Sequence, residues 1–164
     1  MRVARWSRRR SANRERRLMF MAIALALFVG FLLPLQAGVN AQLRVALGHP
    51  LVAAVASFIV GTIGLFACTL LIRAPWPGTD AVAATPWWLW AGGLLGAIYI
   101  LLAIVLAPQL GAATLIALVV GGQMLSSLVL DHFGVAGYSV HPINLARVLG
   151  AVLVIVGVVL IQRN

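Results

Sequence analysis

The chain has 164 residues, of which 63% are hydrophobic and 9% charged; a soluble domain carries about a quarter charged residues and could not enclose so much apolar side chain. The net charge of +9 is concentrated, with eight of the twelve arginines before residue 18, so the rest of the chain is nearly neutral and a distributed nucleic-acid surface is excluded. The single cysteine, Cys68, lies in an apolar run and leaves neither an intrachain disulfide nor a zinc-type cysteine pair.

Residues 1–17, MRVARWSRRRSANRERR, read as a disordered, arginine-rich cytoplasmic tail. Lying along anionic headgroups, each arginine contributes ~1 kcal/mol. No reader module and no aromatic beyond Trp6 accompany the tail, so no nucleic-acid partner is expected. The apolar run that follows, residues 18–39, exceeds the about 7–15 residues of a secretory signal's core, which makes it a first membrane span.

Four more runs follow, at residues 51–72, 87–107, 110–130 and 143–161. At roughly 1.5 Å rise per residue, 20 or so helical residues cross the ~30 Å of hydrocarbon, and lipid offers backbone amides no partners, so each run is expected to be helical. The fold class is therefore an all-α integral membrane protein, with residues 18–164 forming five transmembrane helices in a compact bundle. Pro50 suits the first turn of the second helix, where a missing amide hydrogen costs nothing. The link 73–86 is rich in Pro and Gly, and Trp87, Trp88 and Trp90 mark a headgroup interface. The break at 107–111 is so short that spans three and four must form a tight antiparallel hairpin; residues 131–142, with Gly134, Gly137 and Pro142, form a second longer loop.

An N-terminus in the cytoplasm puts ten arginines inside and two outside, and the C-terminus external. Without the tail the count is two against two, the near-neutral body that antiparallel membrane dimers require. Helix packing in lipid rests on small residues, supplied here by Ser57 and Gly61, Gly92 and Gly96, Gly121, and Gly150.

Polar side chains at membrane depth are costly and mark candidate sites. Gln36, Asn40 and Arg44 stand at i, i+4 and i+8 on one helical face, just after Pro34, whose missing hydrogen bond makes it a candidate hinge. Gln123, Ser127 and Asp131 repeat that spacing in the fourth span. Two readings stand for these stripes: bonds between helices that hold the bundle together, at about 0.6 kcal/mol each, or a solute site. Arg44 and Asp131 are candidate mouth or gate charges. They fall on opposite sides of the membrane, so a pair between them needs an inverted second copy. No carboxylate sits in the middle of any span, which leaves no mid-membrane cation trap or proton relay. Nor is there an HExxH motif, a Walker loop or a usable Ser/His pairing. Neither an enzyme nor a bound metal or cofactor is expected.

At these stripes the chain resembles the small, five-span YdcZ-like branch of the drug/metabolite transporter superfamily. The likeness is carried by LPLQAGVNAQLR (33–44), GHPLVAAVASFIVGT (48–62), GGLLGAIY (92–99), APQLGAATLIALVVGGQMLSSLVLDHFG (107–134) and RVLGAVLVIVGVVLI (147–161). Its specific parts are Q-x-x-x-N-x-x-x-R, SF-x-x-G and GQ-x-x-x-S-x-x-x-DH-x-G. The resemblance implies a permease or exporter of the bacterial inner membrane, built as a half-repeat of the larger transporters. A half-repeat would pair with a second copy or with an inverted paralogue, although the arginine tail, which lies outside the pattern, argues for one fixed orientation. The expected function is secondary transport of a small metabolite or drug-like molecule by alternating access, with Gln36, Asn40, Gln123 and Ser127 binding the solute. The rival is a non-transporting scaffold or accessory subunit that docks a partner protein.

Overall fold

The structure, a computed structural model, describes residues 2–163, with side chains from residue 13 onward. The chain is all-α, and five of its helices are long and apolar enough to cross a membrane. It divides into two units, Met1–Gln36 and Ala37–Asn164.

The first unit is the greater part of α1, which runs Arg2–Leu47. The helix begins before residue 18, where the apolar run starts; residues 13–17, NRERR, are helical too, and arginine and glutamate are good helix formers. The segment expected from sequence to be an unstructured tail is thus helical backbone from Arg2 onward, while Met1 and the side chains of residues 2–12 lie outside the described set. Pro34 stands inside α1, and the helix continues through it.

In the second unit, the last turns of α1 carry Asn40 and Arg44 on past residue 39, because a polar side chain lowers hydropathy without interrupting backbone hydrogen bonds. The helix stops at Gly48, whose φ of +77° is open to glycine and whose amide donates to the Arg44 carbonyl at 2.9 Å. His49 then caps α2 (Pro50–Leu71), its Nδ1 accepting from the Leu51 amide at 3.2 Å, and Pro50 takes the first turn as expected.

The linker is more ordered than its Pro and Gly content suggests. Residues TDAVAA form a short helix, α3 (Thr79–Ala84), with Asp80 favourably placed in its first turn, and Trp76 packs 5.9 Å from Phe66 of α2. A 3₁₀ turn at Trp87–Trp90 leads into α4 (Ala91–Leu110), which continues through Pro108 and ends three residues beyond the expected boundary. Gly111 alone turns the chain into α5 (Ala112–Phe133), with φ 75° and ψ 161°, a region only glycine occupies readily. A second 3₁₀ turn, Val135–Gly137, precedes α6 (Leu145–Arg163).

Within this unit α4 packs against both α2 and α5, and α5 against α6. One buried cluster joins Ala53 and Ala54 of α2 to Ile100 and Ile104 of α4, with Leu43 of α1 against it. A second joins Ala37 of α1, Ala103 of α4 and Leu115 of α5. Ala53 and Ile104 are both fully enclosed, an alanine admitting a larger side chain from the facing helix.

The glycines expected at helix contacts divide. Gly121 is buried, and a side chain there would meet Val158 Cγ2 of α6 at 3.5 Å. At Gly96 it would meet the Phe58 ring of α2 at 3.9 Å, and Ser57 is half-buried. Gly61, Gly92 and Gly150, in contrast, have nothing within 4 Å of where a side chain would point. Alanines occupy the α2–α4 seam, and these three glycine faces are open within the chain.

Candidate functional site

Two open cavities mark the second unit. One, of about 470 Å³, runs along α2 and is lined by Leu51, Val55, Phe58 and Ile63, with Ala97 of α4 opposite and the Thr62 hydroxyl as its single polar side chain. The other, of about 300 Å³, lies at the end of α5 nearest the α5–α6 loop and is lined by Gln123, Ser126, Ser127, Leu130, Asp131 and Tyr138. This second cavity gathers the fourth-span polar stripe that the sequence singles out, together with the adjacent Ser126, and adds Tyr138 to it.

Each wall of the polar cavity has a local cause. Gln123, Ser127 and Asp131 share one face of α5 because they stand four residues apart on a 3.6-residue turn. Ser127 Oγ donates to the Met124 carbonyl at 2.9 Å, so its oxygen is presented as an acceptor. Tyr138 is brought over by the loop. Gly134 turns the chain with a φ of +62°, and a side chain there would sit 2.7 Å from Val140 Cγ2, so the turn tolerates little besides glycine.

The returning strand of the loop is tied to the end of α5 by its backbone. The His141 amide donates to the Asp131 carbonyl at 2.8 Å, and the Ile143 amide to His132 Nδ1 at 3.2 Å. The start of α6 is capped by Asn144 Oδ1, which accepts from the Arg147 amide at 2.9 Å.

Arg147 completes the arrangement. Its Nη1 donates to Asp131 Oδ2 at 3.1 Å and to the His141 carbonyl at 3.2 Å, and this is the one salt bridge among the described residues. Both charges stand at unfavourable helix ends, an anion in the last turn of α5 and a cation in the first turn of α6, and the pair offsets both penalties. Asp131 therefore has a partner within its own chain. An inverted copy's Arg44, which the sequence offers as that partner, would have to displace Arg147. Arg44 itself occupies the last turn of α1, where a cation is favourable, and makes no ion pair among the described residues.

From sequence alone Arg147 counts only toward orientation, and Tyr138 reads as a packing or interface residue. A signal for Arg147 is nevertheless present: in an antiparallel helix pair, an aspartate in the last turn of one helix and an arginine in the first turn of the next lie at the same end.

The first-span candidates are not part of this cavity. Asn40 is the one buried polar residue among those described, 5% exposed. Its side chain forms no hydrogen bond among the described residues, and none of them holds a fully enclosed side-chain N or O without a partner, so the Asn40 amide is not fully enclosed. Ala37, one turn before Asn40, packs with Leu115, eight residues before Gln123, which puts Asn40 and Gln123 roughly 16 Å apart along the helix axes. Gln36 lies in the first unit with its side chain exposed, and Pro34 lies there too. No group of three or more potential metal ligands occurs among the described residues.

An all-α chain with five helices long and apolar enough to cross a bilayer belongs to the broad class of small polytopic membrane proteins. Residues 21–160 match the family model described as "Putative inner membrane exporter, YdcZ". The chain is also 31% identical over 115 residues to the Inner membrane protein YdcZ of Escherichia coli (strain K12), covering 70% of this chain and 76% of that protein. No solved structure matches it. The chain belongs to the YdcZ family and is a multi-pass protein of the inner membrane.

Proposed function

We propose that the protein is a secondary carrier that exports a small solute by alternating access, and that the cavity on α5 is its binding site at one membrane face. The observation that carries this reading is the grouping of Gln123, Ser126, Ser127, Asp131 and Tyr138 around one open space in an otherwise apolar body. Such side chains are expensive in a bilayer unless they bond one another or face a polar occupant. Asn40, with its unengaged amide, is a second station nearer the other membrane face, and Pro34 is the hinge of α1. With the N-terminus cytoplasmic by its arginines, the cavity on α5 faces the cytoplasm, as the loading side of an exporter would. The open glycine faces of Gly61, Gly92 and Gly150 support assembly with a second copy or an inverted paralogue, as expected of a half-repeat.

The solute need not be identified before the test is made. Mass spectrometry of the medium should find one or more small molecules enriched when cells produce the protein. A Gln123→Leu, Ser127→Ala double variant that inserts normally should lower that enrichment about tenfold, two hydrogen bonds being lost at once. Equal export by wild type and variant, or no enrichment with wild type, overturns the reading.

A further inference from the structure

We propose that the α5 cavity recognises an organic cation, a small amine whose ammonium group takes Asp131 from Arg147. The inference deepens the carrier reading and rests on it for its physiological meaning. It draws on three features: the chemistry of the cavity wall, the state of the Asp131 carboxylate, and the place of the ion pair in the fold.

The wall is rich in acceptors. It offers the Asp131 carboxylate, the Ser127 oxygen whose own proton is committed to Met124, the Ser126 and Tyr138 hydroxyls and the Gln123 amide, and no cationic side chain is among its lining residues. An anion entering here would meet the one charged lining group as a like charge. A cation would meet it as a counter-charge.

The carboxylate is only half used. Arg147 reaches it through a single nitrogen, Nη1, to Oδ2, and shares that nitrogen with the His141 carbonyl, so the contact lacks the two-pronged geometry of the strongest arginine–carboxylate pairs. Oδ1 accepts no hydrogen bond among the described residues. Both side chains are about one-third exposed, a setting in which an ion pair exchanges readily with a competing ion.

The pair also stands where its exchange has consequences. Arg147 holds Asp131 and the His141 carbonyl together, and His141 lies three residues beyond Tyr138, which lines the cavity. An ammonium that occupied Asp131 would release Arg147 from the carboxylate and loosen the segment carrying Tyr138, so that filling the site and freeing one of its walls become one event. A cavity of about 300 Å³ has room for a small amine.

The test is equilibrium binding of radiolabelled benzylamine to the purified full-length protein in detergent micelles. Benzyl alcohol and benzoate, of the same shape but neutral and anionic, serve as competitors. Saturable binding displaced by unlabelled benzylamine and by neither of the others is expected. Asp131→Asn should weaken it by at least about tenfold, the loss of a charge-assisted hydrogen bond. Arg147→Gln should tighten it about 2- to 5-fold, because a competitor has been removed.

A site in which the pair is merely structural would give weaker binding in Arg147→Gln, and that result overturns the proposal. So does displacement by benzoate, or the absence of saturable benzylamine binding to wild type. Because the wild-type comparison needs no variant, a misfolded Asp131→Asn protein does not shield the proposal. Binding needs no flux: amine binding without export of any solute would sink the carrier reading alone, whereas export that depends on Gln123 without amine binding would sink this inference alone.

Discussion

The two cavities of the second unit invite comparison because both are open and both are built beside a helix that packs on α4. The larger, along α2, has a wall of aliphatic and aromatic carbon relieved by one hydroxyl. The smaller, on α5, combines an amide, hydroxyls and a carboxylate. In water the larger would be the stronger candidate for ligand binding, since apolar surface drives association there. In a bilayer that argument inverts: lipid tails fill an apolar groove at no loss, while an unfilled polar cavity leaves costly groups without partners. Volume therefore says little about function in this molecule, and lining chemistry says most. The two regions are also held differently, the α2–α4 seam by close packing of alanine against isoleucine and the α5–α6 end by backbone hydrogen bonds, a helix cap and an ion pair.

That contrast is broken most severely at the packed seam. Ala53 is fully enclosed and belongs to the same cluster as the equally enclosed Ile104. Ala53→Leu has nowhere to put its extra methyl groups without separating α2 from α4, a cost of about 1–3 kcal/mol. Unfolding of the micellar protein by titration with a denaturing detergent should show that loss. Because the seam and the α5 cavity share no lining residue, benzylamine affinity at the remaining folded fraction should be unchanged.

At the other end the sensitive position is Gly134. Its φ of +62° costs a residue with a side chain about 1–2 kcal/mol, and a Cβ would stand 2.7 Å from Val140 Cγ2. Gly134→Ala should therefore destabilise by about that amount and, unlike the seam variant, weaken the α5 site by displacing Tyr138. Adding Val140→Ala should restore the part due to the contact and leave the part due to the backbone. If Gly134→Ala leaves both stability and binding intact, the loop does not shape the cavity.

What the sequence reveals of this molecule follows the same division. The spans are legible because hydrocarbon thickness and amide satisfaction act on runs of residues, and α2 is bounded to within one residue because Pro50 marks its start. The end of α1 is misplaced at residue 39, since hydropathy falls at Asn40 while helical bonding does not. Periodicity along α5 brings Gln123, Ser127 and Asp131 together correctly. It gives no means of seeing across a loop, so it misses Arg147 and Tyr138 and offers Asp131 only the Arg44 of an inverted second copy. Glycine spacing likewise locates close approach but not its partner: Gly121 meets α6 inside the chain, and Gly150 meets nothing.

Gly150 supplies the prediction with the smallest effect on folding. A side chain there finds no atom within 4 Å, so Gly150→Ile should leave the stability of the isolated chain within about 0.5 kcal/mol. The same holds for Gly61→Ile on α2, whose position is equally open. If the glycine faces serve a second copy, however, an isoleucine holds two backbones apart where van der Waals packing is the only adhesive, and the assembly should fall to monomer in sedimentation measurements on the micellar protein. One variant dissociating while the other does not would assign the interface to α6 or to α2, and so to the side of the molecule that carries the polar cavity or to the side that carries the apolar groove. Persistence of the oligomer in both would leave these faces to lipid, and assembly would then have to rest on surfaces without glycine.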